Sequence, residues 1–281
     1  MFGIKKLKYE FSSRNGLSLH ARIPTITFRG AFGYALAQVI SRSSGIESLD
    51  EQVETYRQFF MPAGGGEDVQ RRALARPFVL RGYYSRPDRR SFVLELLLFG
   101  AGGKFETFFD TVVEVMDRMG IGQDRRVCRL EKLGCVDVNL SDPEPTSDLV
   151  VEFLTPCVRL RHLGRMYKEE RPFHVLLSRL VDRVVELDRL YGDGVEAEEG
   201  KIVELKRRSR EVASVKLSGG VYDAVRTSGR TGDRMYLDGF VGEMQYTGEF
   251  TCFRDVLRYL PWVNLGHFNV FGCGWCNMHY L

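Results

Sequence analysis

The apolar periodicity of this chain runs through one order of elements twice, and that repetition leaves few folds open. In the first pass Lys5 to Phe11 alternates as a strand, and Thr27 to Ser41 reads as a helix with Phe28, Phe32, Ala35, Leu36 and Val39 on one face. A long insertion follows. Two strands, Pro77 to Tyr84 and Ser91 to Phe99, then flank the turn-rich Arg86-Pro-Asp-Arg89. Gly102-Gly103 precedes a helix from Lys104 to Met119, whose Phe105, Phe108, Phe109, Val112, Met116 and Met119 recur at helical spacing. Arg126 to Val138 closes the pass as a strand. The order is βαββαβ, the ferredoxin-like unit.

A polar break, Ser141-Asp-Pro-Glu-Pro-Thr-Ser-Asp148, has the prolines and acids of an interdomain linker. Beyond it Leu149 to Leu154 is a strand. Pro172 is read at the N1 position of a helix whose Phe173, Leu176, Leu177, Leu180, Val184, Leu187 and Tyr191 form one apolar stripe, ended by Gly192-Asp-Gly194. Strands at Val221 to Thr227 and Met235 to Tyr246, a short helix at Phe253 to Tyr259 and a strand from Asn277 to Leu281 complete the second βαββαβ pass. The stripes are core first, because each such side chain contributes roughly 1.5 to 3 kcal/mol on burial. The sequence therefore predicts an α+β protein of two tandem ferredoxin-like domains, residues 1–142 and 148–281.

Length agrees, since 281 residues exceed the usual single-domain size. With 40 basic and 37 acidic residues the net charge is only +3, so any nucleic-acid surface must come from local clustering. The N-terminus, Met1-Phe-Gly-Ile-Lys-Lys-Leu-Lys, has charges where a signal peptide needs an apolar run, and no stretch reads as a membrane helix; a cytoplasmic protein without membrane partners is expected. Six cysteines in this length make no disulfide framework. Cys273-Gly-Trp-Cys276 is the one C-x-x-C, but only five residues follow it, too few for the helix a redox site needs, and no second ligand pair completes a zinc site. No metal and no cofactor is expected.

The tail, Leu265-Gly-His-Phe-Asn-Val-Phe-Gly-Cys-Gly-Trp-Cys-Asn-Met-His-Tyr-Leu281, places three glycines in what otherwise reads as a strand. Glycine there costs roughly 0.5 to 1 kcal/mol against alanine, so Gly266, Gly272 and Gly274 point to close backbone approach to a ligand, with amides turned toward an anion such as phosphate. This tail, together with Gly239-Phe-Val-Gly242, resembles the C-terminal signature of CRISPR repeat-processing endoribonucleases of the RAMP superfamily. Further motifs follow in order. Phe28-Arg-Gly-Ala-Phe-Gly-Tyr-Ala-Leu36 resembles the family's first-helix motif, and Tyr56-Arg-Gln-Phe-Phe-Met-Pro62 the segment after it. Phe153-Leu-Thr-Pro156 with Pro172-Phe173, and Arg226-Thr-Ser-Gly-Arg230 with Leu237-Asp-Gly-Phe-Val-Gly242, match its C-terminal domain.

The resemblance implies tandem ferredoxin-like domains, CRISPR repeat RNA (precursor crRNA) as substrate and cleavage without a metal. In that chemistry a ribose 2′-hydroxyl attacks its own neighbouring phosphate, so positioning supplies much of the rate. The protein adds a group to take the 2′-OH proton, a group to protonate the departing 5′-oxygen, and fixed positive charge. Imidazole suits both proton transfers, with an unperturbed pKa of about 6.5. Relatives commonly carry a histidine in or beside the first helix; here the matching stretch is Gly33-Tyr34-Ala35. Tyr34 is a phenol, a poor base at neutral pH. His267, inside the glycine-rich loop, and His20, just before the first-helix motif, are the other catalytic candidates, while His174 and His279 have weaker claims.

RNA contacts are assigned to Gly266, Asn269, Gly272 and Gly274 in the tail, to Arg226 and Arg230 beside the glycine signature, to Arg159, Arg161 and Arg165 before the long helix, and to Arg29 in the first-helix motif. The cluster before the long helix also holds His162, Lys168 and Arg171; Lys201 to Arg210 and the set Arg71, Arg72, Arg76 and Arg81 are two more basic runs, which in most chains are solvated faces. Tyr83, Tyr84 and Trp262 are aromatic candidates for base stacking. Two functions stand: a metal-independent endoribonuclease making guide RNAs with 2′,3′-cyclic phosphate ends, and a non-cleaving subunit that holds the repeat handle among CRISPR effector complex subunits. Either is compatible with a monomer or homodimer. An enzyme of small phosphorylated ligands lacks a P-loop or dinucleotide fingerprint.

Overall fold

A computed structural model of the chain describes residues 1–20, 23–42, 75–122, 128–140, 145–158, 160–162, 165–167, 169–193, 198–227, 232 and 234–281. They form two compact units: Ile4–Val136, and Met1–Gly3 together with Asp137–Leu281.

The first unit holds β1 (Ile4–Ser12), α1 (Thr25–Arg42), β2 (Phe78–Tyr84), β3 (Ser91–Phe99), α2 (Glu106–Met119) and β4 (Arg129–Asp137, whose last residue is assigned to the other unit). Its four-stranded sheet has the order β2-β3-β1-β4. Aromatic packing joins helices to sheet: Phe28 of α1 stacks on Phe92 of β3 with centroids 4.6 Å apart, and Phe32 stacks on Phe109 of α2 at 5.6 Å. Every residue of β3, a central strand, is buried. One edge of α2 is tied by charge. Tyr9 of β1 donates to Asp110 (2.7 Å), Lys132 of β4 bridges Asp110 (2.7 Å) and Glu106 (3.0 Å), and Lys5 reaches Glu106 at 3.3 Å. The Cys135 thiol bonded to Glu106, with Lys132 and Lys5 beside it, holds that carboxyl at about 2.

The second unit begins with β5 (Asp148–Val158), then the ribbon β6 (Leu160–His162) and β7 (Arg165–Tyr167), α3 (Phe173–Tyr191) and α4 (Glu199–Arg208). After these come β8 (Ala213–Tyr222), the ribbon β9 (Val225–Thr227) and β10 (Arg234–Tyr236), β11 (Gly239–Thr247), two four-residue turns α5 (Arg254–Leu257) and α6 (Leu260–Val263), and β12 (Cys276–Tyr280). The sheet order is β12-β5-β11-β8. Counting the sheet strands within each unit, both orders read 4-1-3-2, so the chain is an α+β protein of tandem ferredoxin-like folds. Phe173 anchors α3, ringed by Tyr246, Phe250 and Phe253 at 5.2 to 5.4 Å.

Several expected boundaries move. Pro172 caps α3 instead of occupying its first turn, and its carbonyl takes the amides of Val175 (3.0 Å) and Leu176 (3.1 Å). The strands expected at 221–227 and 235–246 are a longer hairpin, β8 and β11, carrying the β9–β10 ribbon between them. Lys201 to Arg210, read as a charge run, is mostly helix α4 with no buried residue. No helix among the described residues is long and apolar enough to cross a membrane.

Candidate nucleic-acid interface

The glycine-rich segment between α6 and β12 is a loop pinned to the end of β5. Its neck is closed by the Leu265 amide donating to the Gly274 carbonyl (2.8 Å), and the Gly274 amide donates to Pro156 of β5 (3.0 Å). Gly274 has φ +75°, and a Cβ there would collide with the Leu265 carbonyl. At the other side the His267 amide donates to Val158 (3.0 Å), and Gly266, φ +82°, lies so near that a Cβ would sit 2.5 Å from the Val158 oxygen. Thr155 spans the turn: its hydroxyl donates to the Gly272 carbonyl (2.7 Å) and accepts the Trp275 amide (2.9 Å). Asn264, fully buried with φ +52°, donates to the Cys273 carbonyl (3.0 Å), and Asn269 returns a bond to the Asn264 carbonyl (2.7 Å).

The glycines therefore act differently from the expected amide cradle. The Gly272 and Gly274 amides donate to Asn269 (2.9 Å) and Pro156 (3.0 Å), inside the protein. The side chain that Gly266 lacks lets the loop press on β5, the one that Gly274 lacks lets its neck close, and the loop in turn presents side chains. His267 is exposed. Phe268 follows it in the left-handed region, φ 62° and ψ 30°, and begins a short 3₁₀ turn, Asn269–Phe271. Arg226 of β9 lays its guanidinium over the Phe271 ring, 4.9 Å from the centroid. The fold thus unites His267, Asn269, Gly266, Gly272, Gly274 and Arg226, residues separated by some forty positions in sequence.

Two family models divide the chain. A model described as an N-terminal domain matches residues 2–147, and that of the CRISPR-associated endoribonuclease Cas6 matches residues 151–276, the stretch that holds this loop. Its C-terminal part, residues 151–276, matches the Cas6 family. Among solved structures it is similar over 99% of both chains to a Cas6 product complex, with TM-score 0.60 and 13% identity. A Cas6 substrate-mimic complex matches with TM-score 0.53 and 15% identity, again over 99% of each chain. Identities this low carry the fold alone. Among curated protein sequences none matches significantly.

The remaining candidates fall elsewhere. His20, Arg29 and Tyr34 belong to the first unit. His20 fastens the turn leading into α1: its Nδ1 accepts the Ile23 amide (3.1 Å) and its own amide donates to Thr27 Oγ1 (2.9 Å). Tyr34 stands out from α1, 57% exposed, and Arg29 lies along the same helix with a guanidinium nitrogen 3.1 Å from where a Gly33 Cβ would be. Arg165 of β7 is exposed, paired with Glu170 (3.3 Å) and stacked on Tyr167 (4.9 Å). Arg159 and Arg230 lie outside the described residues, as do Lys168, Arg71, Arg72 and the Tyr56–Pro62 motif; of Arg161 and His162 only the backbone is described.

Two basic readings are corrected by burial, and a third run is neutralised by pairing. Arg171 is 1% exposed and donates to the carbonyls of Tyr167 (2.7 Å), Glu170 (2.8 Å) and Cys157 (3.1 Å), so it holds the base of the β6–β7 ribbon instead of meeting solvent. Arg81 is 3% exposed within β2, paired in register with Glu95. The α4 run is offset by acids around it, with Lys206 on Asp182 of α3 (2.6 Å), Arg207 on Glu204 (2.7 Å) and Arg208 on Glu249 (3.3 Å). Of the aromatic candidates, Tyr84 packs edge-on against Phe92 at 5.4 Å, while Tyr83 is 38% exposed with Lys8 over its ring at 5.8 Å. Burial pushes the Cys273 thiol up to about 12 and raises Cys157 as well, the behaviour of inert core thiols. No cluster that could hold a metal ion occurs among the described residues. Sequence reading missed Asn264, Thr155 and Phe271, whose roles depend on partners about 5 to 120 positions away.

Proposed function

We propose that this chain binds CRISPR repeat RNA through the glycine-rich loop and cuts it within the repeat. The 2′-oxygen of one ribose attacks the adjoining phosphorus, the bond from phosphorus to the 5′-oxygen breaks, and the products are a 2′,3′-cyclic phosphate and a 5′-hydroxyl. A proton leaves the 2′-OH and one reaches the departing oxygen. His267 serves one of these transfers. Because the nucleophile is part of the substrate, alignment replaces activation of water, and a metal is not required. The observation that carries the reading is an exposed histidine on a loop shaped by close-packed glycines, inside residues 151–276 that match the endoribonuclease model. Arg226, Arg230, Arg159, Arg161, Arg165 and Arg29 supply positive charge along the RNA in this reading.

The test is incubation of the purified protein with its cognate repeat RNA in EDTA, beside a matched RNA with a single 2′-deoxy substitution at the cut. Cleavage of the first alone, leaving a cyclic phosphate, is the expected result. Cleavage of the deoxy RNA, or dependence on added Mg²⁺, overturns the mechanism. One observation favours a second reading, a non-cleaving subunit that holds the repeat handle within an effector complex: α1 presents Tyr34, a phenol, in the motif where the resemblance implies a histidine. Tight binding of repeat RNA with no cut under any of these conditions selects it.

A further inference from the structure

The loop carries a feature that phosphate binding does not explain. Phe268 is a bulky residue at φ 62° and ψ 30°, a conformation that suits glycine and is a genuine outlier for an aromatic side chain. Strain of this kind persists where the surroundings hold it, and it concentrates at ligand-binding positions. Here the holding bonds are the Phe271 amide on the Phe268 carbonyl (2.9 Å), the Gly272 amide on Asn269 (2.9 Å) and the Asn269 side chain on Asn264 (2.7 Å). Phe268, just before the turn, and Phe271, at its end, meet edge to face, centroids 6.2 Å apart, with His267 6.2 Å from Phe268 and the Arg226 guanidinium 4.9 Å above Phe271. Both phenylalanines are half-buried although the loop could have used small polar residues at either place.

We propose that Phe268, Phe271 and Arg226 form a stacking platform for one unpaired nucleobase next to the phosphate met by His267. It rests on the RNA-binding reading above and specifies the nucleotide that the loop takes. Aromatic rings and arginine planes recognise bases splayed out of a helix, because every base has a π-face. The chemistry needs such a base. In a stacked A-form strand the 2′-oxygen is not in line with the bond to the 5′-oxygen, so rotating one nucleotide out onto a fixed ring helps bring the reacting atoms into line. Phe271 is in this sense a positioning residue, whereas His267 touches the reacting atoms.

The test is a thermodynamic cycle on the full chain. Affinity for cognate repeat RNA, and for the same RNA made abasic at each nucleotide flanking the cut in turn, is measured for the parent, Phe271→Leu and Phe268→Leu. Loss of a base–aromatic stack predicts an affinity loss of about 5- to 150-fold for Phe271→Leu on intact RNA, vanishing when one particular flanking base is absent. Phe271→Trp should bind intact RNA more tightly than Phe271→Leu, and 2-aminopurine at the same nucleotide should change fluorescence on binding the parent and less on binding Phe271→Leu. An equal loss on intact and abasic RNA at every position would mean that Phe271 only packs the loop, and the platform falls while RNA binding stands. A parent that does not bind repeat RNA sinks the platform and the reading beneath it together. Should Phe271→Leu melt well below the parent, Phe268→Leu and the abasic RNAs on the parent decide the matter.

Discussion

The two units share one topology, and the glycines of their two motifs, Gly30 in the first and Gly266 and Gly274 in the second, serve it in opposite ways. In the first unit Gly30 sits within α1 with nothing within 4 Å of an added Cβ, so it contributes helix flexibility and no packing. In the second, Gly266 and Gly274 are pressed against β5 and the loop's own neck at positive φ, where any side chain must displace backbone. Close-packed glycines occur in both units, Gly122 of the first lying at φ +87° against the Ser18 carbonyl, but in the second they pin the segment before the last strand onto β5. It is there that His267, Phe271 and Arg226 come together. A site in a duplicated fold can be sought where one copy departs from the common backbone.

The largest expected effect divides the histidines of the two units. Removing a general acid or base typically costs 100-fold or more in rate, so His267→Ala should cut single-turnover cleavage by at least about 100-fold with RNA affinity nearly intact. His20→Ala, which removes the acceptor for the Ile23 amide, should lower the melting temperature and leave cleavage of the folded fraction near parental. The reverse pattern would move the proton transfer to the first unit.

Next is the glycine contrast itself. Gly274→Ala should destabilise by about 1 to 3 kcal/mol or more, read by urea unfolding, because φ +75° and the Leu265 carbonyl both oppose a methyl group. Gly30→Ala should stabilise by roughly 0.4 to 1 kcal/mol. Equal effects would erase the distinction between the units. Arg226→Gln should then weaken repeat-RNA binding several-fold and, where the guanidinium also neutralises a phosphate, lower the slope of log affinity against log salt by about 0.7. An unchanged affinity would leave Arg226 as a support for Phe271 alone.

The smallest effect concerns the charge ladder of the first unit. Glu106 is held at about 2, below its ordinary 4.5, so its contribution is present above pH 4.5 and is lost as pH falls toward about 2. Glu106→Gln should therefore lower stability slightly at pH 7 and flatten the decline below pH 4.5, and parallel acid curves for parent and variant would discount the ladder. The exposure of these groups keeps the effect small.

How far the chain could be read in advance depended on the range of the interactions. The element order, the helix stripes and the presence of a glycine-driven distortion were legible, because burial periodicity and the cost of glycine are local properties. The basic runs were read less well. Arg171 and Arg81 look like solvent-facing cations in sequence and are buried, one among carbonyls and one beside Glu95 across the sheet. Composition could not say that the α4 run is neutralised, since its partners Asp182 and Glu249 lie outside that helix. By itself the sequence determined that two ferredoxin-like units would form and that the C-terminal tail needs glycine for close backbone approach. Only the tertiary structure decided that the Gly274 amide bonds inward to Pro156 and that Arg226 lies on Phe271, because those outcomes depend on strands β5 and β9, whose nearness to the tail no local pattern encodes.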